Sequence, residues 1–294
     1  MAREGIMELS PFTQKRFDKG IKETGYWLGQ PKLNGTRLRW DPQAQDLFSS
    51  GAKIVNCLPH LKATMQGLGA TYGAMGKLAL DGEAYCHGMP LEDIRARSGR
   101  TKSLHEDHKA LSFYIFDVIS SQPQADRAAI IDVLATGLRH QHIVWINATP
   151  IYDLQQANDQ VVDWVDQGFE GGVFRRPDCL WEPKRTTLAM KWKPKGRDKY
   201  EVVAIHEGEG KYAGTLGALT VRDNLGQEFN VGSFKCNDDK RAEYWAQGQA
   251  LVGQMAVIEY CEITKGGIMP SGVFVMTLEE AGTDWKPKTG RLAA

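Results

Sequence analysis

Between Lys184 and Lys199 the chain carries seven basic residues, Lys184, Arg185, Lys191, Lys193, Lys195, Arg197 and Lys199, against a single acid, Asp198. Met190, Trp192 and Pro194 interleave with them. The alternation reads as a strand with one working face, and Pro194-Lys195-Gly196 as a hinge that ends it. The stretch also separates two kinds of sequence. Long helical patterns mixed with strands precede it, and short strands with Gly-rich turns follow it. A length of 294 residues accommodates two domains of ordinary size. The expected division is 1–197 and 198–294.

In the first part, Leu9–Phe17 reads as a helix with Ser10 as cap and Pro11 in its first turn. Strands are expected at Thr36–Trp40, Lys53–Asn56 and Lys77–Tyr85, and a helix over His60–Leu68. Ser112–Ile119 (SFYIFDVI) is an apolar aromatic strand with one acid inside it. Asp126–His140 and Gln155–Gln167 read as amphipathic helices, the second closed by Gly168. Phe169–Arg176 and Leu188–Lys193 complete the strands. In the last part, strands are expected at Tyr200–His206, Leu216–Arg222, Glu228–Ser233 and Met255–Thr264, with one helix over Asp238–Gln249. About five short strands and one helix indicate a small barrel of the oligonucleotide-binding kind.

Lys plus Arg equals Asp plus Glu, 36 of each. The zero balance conceals a gradient, because 1–197 holds 26 basic residues against 22 acids and 198–294 holds 10 against 14. The balance argues against a wholly basic nucleic-acid coat but does not exclude nucleic-acid binding, because one polarised face is enough. The five cysteines, Cys57, Cys86, Cys179, Cys236 and Cys261, form no CxxC pair, so neither a zinc knuckle nor a redox dithiol is indicated. The seven histidines show no metal-ligand spacing. The N-terminus lacks a signal-peptide pattern, and no apolar run reaches membrane-spanning length.

Four local patterns stand out in order: KLNGTR at 32–37, LDGEAY at 80–85, EGGVFR at 170–175 and MKWK at 190–193. Each alone is a common turn or surface pattern. Together they resemble the covalent nucleotidyltransferases, and within them the small ATP-dependent DNA ligases. Lys32, Gly35 and Arg37 match the family's KxDGxR motif, with Asn34 in place of the acid. Ser49 and Gly51 of FSSGAK fit a second motif, in which Ser50 stands where Arg is usual. Asp81-Gly82-Glu83, Phe116-Asp117, Glu170-Gly171 with Val173, and Lys191 with Lys193 match the remaining motifs. GEGKYAGTLGALTV, VGSFKCNDDKRAEYW and VIEYCEITKGG resemble the ligase barrel. The implied fold is α+β: an ATP-grasp-like adenylation (nucleotidyltransferase) domain over 1–197, then an OB-fold β-barrel over 198–294.

The resemblance implies a reaction. Lys32 attacks the α-phosphorus of ATP, releases pyrophosphate and carries AMP. The AMP passes to the 5′-phosphate of a nick, and the 3′-hydroxyl then seals the backbone. Free lysine, with a pKa near ~10.4, needs its proton removed first, and neighbouring cations can depress that pKa. Lys191 and Lys193, two apart on a strand, share a face and suit phosphate oxygens. Glu83 and Glu170 divide ribose and metal roles between them; the family gives ribose to Glu83, but residue type alone leaves both open as metal ligands. Phe116 is expected to stack on adenine, Gln30 to lie near it, and Arg37 to contact nucleotide or nick phosphate. Lys286, in Thr283-Asp284-Trp285-Lys286 with Lys288 and Arg291 beyond, is a candidate for orienting pyrophosphate; Ser271 replaces an Arg common before the final strand. ATP and Mg2+, or Mn2+ in its place, are the implied cofactors, and nicked double-stranded DNA the partner. The missing Arg at Ser50 implies either that another basic residue holds the 5′-phosphate of the nick or that nick affinity is modest. A minimal monomer without obligate protein partner or membrane, in the cytoplasm of a bacterial or phage-infected cell, completes the expectation. RNA ligase, mRNA guanylyltransferase or a non-catalytic DNA-binding scaffold are the alternatives.

Overall fold

The computed structural model describes residues 5–73, 75–260, 262–263, 272–287 and 291–292. It divides into two compact units, Met1–Trp192 and Lys193–Ala294. The first unit contains strands β1 (Glu8–Pro11), β2 (Trp27–Lys32), β3 (Thr36–Asp41), β4 (Asp46–Ser49), β5 (Leu80–Tyr85), β6 (Ser112–Val118), β7 (Ile143–Trp145), β8 (Thr149–Ile151), β9 (Gly171–Arg175) and β10 (Arg185–Trp192). Its helices are α1 (Gln14–Thr24), α2 (Pro59–Thr71), α3 (Leu91–Ser98), α4 (Gln124–Gly137) and α5 (Leu154–Asp166).

These strands form two sheets, ordered β1-β10-β9-β2-β8 and β4-β3-β5-β6-β7. The first sheet buries Trp27, Phe174 and Met190 against Phe17 of α1 and Ala157, Val161 and Trp164 of α5. The second buries Leu38, Trp40, Leu80, Phe113 and Ile115 against Leu61 and Met65 of α2 and Ile131 of α4. Burial of each such side chain contributes about 1.5–3 kcal/mol. Asp153 starts α5 by accepting from the Gln156 backbone N–H at 2.8 Å.

Leu9–Phe17 is not one helix. Glu8–Pro11 is a strand, and α1 begins only at Gln14. Long-range pairing overrides the local Ser-Pro signal: Ser10 lies opposite Met190 and Pro11 opposite Lys191 in parallel register. Ser10 Oγ donates to the Thr186 carbonyl at 2.7 Å instead of capping a helix. Pro11 is tolerated because β1 is an edge strand. Lys53–Asn56 is likewise no strand; Ile54 makes an isolated bridge to Phe48 in β4. The strand β2 had no clear signature, since Gly29 and Pro31 break its pattern. Pro31 fits because β8 pairs with β2 only as far as Gly29.

The second unit contains β11 (Gly196–Glu207), β12 (Leu216–Arg222), β13 (Glu228–Val231), β14 (Ser233–Phe234), α6 (Asp238–Gln247), β15 (Met255–Tyr260), β16 (Glu262–Ile263), β17 (Val273–Thr277), α7 (Leu278–Ala281) and β18 (Arg291–Leu292). Six of its strands form one sheet, ordered β13-β12-β11-β15-β17-β14. Tyr200, Val221, Ile258 and Phe274 pack with Tyr244 of α6 in its core. Asn237 caps α6 by accepting from the Lys240 N–H at 2.9 Å. Met255–Thr264 was expected as one strand; β15 ends at Tyr260, and Cys261 and Thr264 lie outside the described residues.

Candidate active site

The sequence patterns converge in the first unit because two antiparallel pairings bring them together. β2 pairs with β9 so that Lys32 lies opposite Gly171. The Glu170 backbone N–H donates to the Lys32 carbonyl at 2.9 Å. That register places the Glu170 carboxylate on the Lys32 ammonium, and the two form an ion pair with both side chains largely buried. Lys32 Nζ also donates to the Leu33 carbonyl at 3.2 Å.

β3 pairs with β5 so that Arg37 lies opposite Glu83. The Gly35 N–H donates to Glu83 Oε1 at 2.9 Å. A Cβ on Gly35 would stand 2.5 Å from the Ala84 carbonyl oxygen, so only glycine lets KLNGTR press onto β5 this closely. Gly82 is constrained in the same way, since its Cβ would meet the Tyr114 carbonyl oxygen at 2.2 Å where β5 and β6 change register. The glycines of both patterns are therefore spacers that set the approach of charged side chains.

Burial pushes the Glu83 carboxyl up from its ordinary range; Lys32, Arg37 and the Gly35 N–H pull it back, and Glu170 pushes it further. The net direction is upward. Lys32, Glu83 and Glu170 thus form one electrostatic group of a cation between two carboxylates. Among the described residues no group of three or more His, Cys, Asp or Glu side chains could hold a metal. Two carboxylates fit Mg2+, which keeps water and phosphate oxygens in most of its coordination positions.

Arg37 is held by Asp81, which is fully buried. Arg37 Nε donates to Asp81 Oδ1 at 2.6 Å, and Nη2 donates to Oδ2. Trp181 Nε1 donates to the same Oδ2 at 3.2 Å. Burial opposes the Arg37 charge, but Asp81 outweighs it and raises the guanidinium pKa. Two guanidiniums lie over the Phe116 ring, Arg37 at 4.8 Å and Arg175 at 5.3 Å from its centroid.

Gln30, expected beside the adenine, is 3% exposed and its amide is engaged within the protein. Its Nε2 donates to the Phe116 carbonyl at 3.0 Å and the Ile146 carbonyl at 2.7 Å, while Oε1 accepts from Arg175. It ties β2 of one sheet to β6 of the other and so carries Phe116. Lys191 in β10 and Gln30 in β2 lie opposite the same residue, Val173. Such a transverse row shares a face, and Lys32 lies two residues beyond Gln30 on it. Lys193 and Lys286 belong to the second unit. Lys288 and Ser271 lie outside the described residues, as does the side chain of Arg291.

Asp81 is matched to a motif in the sequence but carries no role there, and Arg175 lies inside EGGVFR without being named. Burial of Asp81, Asp117 and Arg175 distinguishes these motif residues from surface charges, and only the fold shows that burial. Nothing in the sequence marks Trp181.

The domain family described as "ATP dependent DNA ligase domain" matches residues 10–193, and "DNA ligase OB-like domain" matches residues 207–275. The chain is 26% identical over 244 residues to a DNA ligase of Haemophilus influenzae, covering 82% of each. In fold it is similar to a structure titled for DNA binding with a minimal scaffold in Lig E DNA ligases, with TM-score 0.73, 18% identity, and 93% of this chain and 99% of that chain covered. It is also similar to the bacteriophage T7 ATP-dependent DNA ligase in complex with ATP, with TM-score 0.51, 16% identity, and 92% and 98% covered. An adenylation domain followed by an OB-like half-barrel places the protein among the covalent nucleotidyltransferases. Within that superfamily the chain belongs to the ATP-dependent DNA ligases, enzymes that seal nicked duplex DNA through a lysyl-AMP intermediate.

Proposed function

We propose that Lys32 is the lysine that carries AMP. The ion pair between its amine and Glu170, with Glu83 beside them, is the observation that carries this reading. Lys32 Nζ forms a bond to the α-phosphorus as the α–β anhydride bond breaks and pyrophosphate leaves. Before that attack the ammonium must lose a proton, and Glu170 is in hydrogen-bonding contact to receive it. Glu83, fixed by the Gly35 N–H, is placed to accept from the ribose hydroxyls. Glu170 and Glu83 are the residues that would hold Mg2+, which supplies charge neutralisation at the phosphates when bound.

Phe116 is proposed to stack on adenine, which requires a guanidinium now lying over its buried ring to give way. Arg37 is a positioning residue in the resting site, with Nη1 left by Asp81 for an oxyanion. Lys191, on the Lys32 face of the sheet, binds α-phosphate oxygens. Lys193 and Lys286 are proposed for phosphate contacts on the sequence pattern alone. The enzyme is proposed to act as a monomer in the cytoplasm, where the thiols of Cys57, Cys86, Cys179 and Cys236, unbridged in the structure, would stay reduced. Among the described residues no helix is long and apolar enough to cross a membrane.

Incubation with labelled ATP and Mg2+, followed by denaturing electrophoresis, tests the assignment. A denaturation-resistant adduct is expected with the unsubstituted chain and none with Lys32→Ala. An adduct of undiminished yield in that variant would refute Lys32 as the nucleophile.

A further inference from the structure

Glu259 sits in β15 of the second unit, and three cations converge on it from two directions. Arg197 is its direct cross-strand partner in β11. Arg197 Nε donates to Glu259 Oε2 at 2.9 Å, and Lys195 Nζ donates to Oε1 at 2.9 Å. Lys235 arrives from the other side of the strand, just after β14, where its backbone N–H donates to the Phe274 carbonyl at 2.9 Å. Lys235 Nζ donates to Glu259 Oε2 at 2.6 Å.

Ala256, Ile258 and Tyr260 of the same strand belong to the core cluster. Alternation therefore turns Glu259 to the opposite face of the sheet. There its side chain is 5% exposed, while those of Lys195, Arg197 and Lys235 are 55%, 39% and 37% exposed. One sunken carboxylate thus holds three cations whose outer surfaces face solvent. Internal ion pairing needs one cation; three leave a local surplus of two positive charges. The whole unit from Lys193 contains 13 basic residues and 14 acids, so the surplus is a concentration against an acidic background.

We propose that Lys195, Arg197 and Lys235, held in place by Glu259, form a platform that grips backbone phosphates of the nicked duplex. This rests on the ligase reading and goes beyond it by assigning part of the DNA grip to residues outside the nucleotide site. Glu259 is a positioning residue, which acts through the cations it holds. The arrangement presents charge at fixed spacing to phosphate oxygens, which carry no sequence information, so the grip is sequence-independent.

Binding of the full-length protein to a nicked duplex with a 3′-deoxy end, which cannot be sealed, is measured across a salt series. Each phosphate contact contributes about −0.9 to the slope of log affinity against log salt. Lys235→Ala is expected to make the slope shallower by about that amount, so that its affinity deficit shrinks about 3-fold between 50 and 200 mM salt. Lysyl-AMP formation by the same variant should be unchanged, which separates failure of the platform from failure of the ligase reading. An unchanged salt slope overturns the proposal, and so does loss of lysyl-AMP formation in Lys235→Ala. Glu259→Gln supplies a test of sign. It makes the patch more positive, so independent charges would bind DNA more tightly, whereas a positioned platform binds it more weakly. Tighter binding by Glu259→Gln overturns the positioning role.

Discussion

Replacing Asp81 with Asn probes the electrostatic support of the nucleotide site without changing side-chain size. Asp81 is fully buried, and its Arg37 partner has a side chain only 18% exposed. The substitution leaves the Arg37 guanidinium without its counter-charge, while the amide oxygen can still accept one hydrogen bond. Removing one partner of a buried pair costs about 3–5 kcal/mol, because the remaining charge stays desolvated. That is a large share of the roughly 5–15 kcal/mol that a domain has in total. With a urea m-value of about 3 kcal/mol/M, the unfolding midpoint of the first unit should fall by about 1–1.7 M. Six of the eight tryptophans, Trp27, Trp40, Trp145, Trp164, Trp181 and Trp192, lie in that unit, so intrinsic fluorescence follows its unfolding. A cycle with Arg37→Met completes the experiment. Once the arginine is gone there is no orphaned cation, so the double variant should be about 2 kcal/mol or more better than the sum of the single losses. A loss below about 1 kcal/mol for Asp81→Asn, or strict additivity in the cycle, would show that Arg37 is not held as described.

Gly82→Ala should destabilise the first unit by about 3 kcal/mol, since its Cβ would press on the Tyr114 carbonyl oxygen at 2.2 Å. Gly51→Ala, with nothing within 4 Å, should change stability by less than about 0.5 kcal/mol; equal urea midpoints for the two variants would contradict the close-approach account. For the second unit, burial alone would raise the Glu259 pKa, but hydrogen bonds from Lys235, Lys195 and Arg197 outweigh it and pull it down to about 2. A carboxylate depressed on folding stabilises the fold above its unfolded pKa and loses that contribution as pH falls from about 4.5 towards about 2. The contribution is about 3 kcal/mol, and thermal melts of Glu259→Gln between pH 6 and 3 should therefore decline less steeply than those of the parent. Glu280, also pulled down to about 2, leaves part of the decline in place; an identical slope in both proteins would refute the Glu259 contribution.

Local patterns already carried much of the site. Lys32, Glu83 and Glu170 were legible because lysine and carboxylates recur beside glycines in a fixed order, and the chain brings those segments together by ordinary antiparallel pairing. The strands β3, β5, β6 and β12 were legible because alternation or a continuous apolar run marks them, and α2, α4 and α5 because their apolar spacing is helical. Ser10-Pro11 misled, since a capping signal is local and weak while a parallel pairing with β10 supplies a whole edge of hydrogen bonds. The strand β2 was invisible because Gly29 and Pro31 are poor strand formers that only its particular neighbours accommodate.

The sequence by itself determined the family, the two kinds of folding unit and the ionisable groups available for adenylyl transfer, because these depend on residue type and order along the chain. Only the tertiary structure decided which charges face one another. Arg37 belongs to Asp81, Gln30 supports Phe116 through its carbonyl, and Glu259 gathers Lys195, Arg197 and Lys235. Each contact joins residues tens of positions apart. Its strength depends on burial and separation in space, neither of which composition or spacing records.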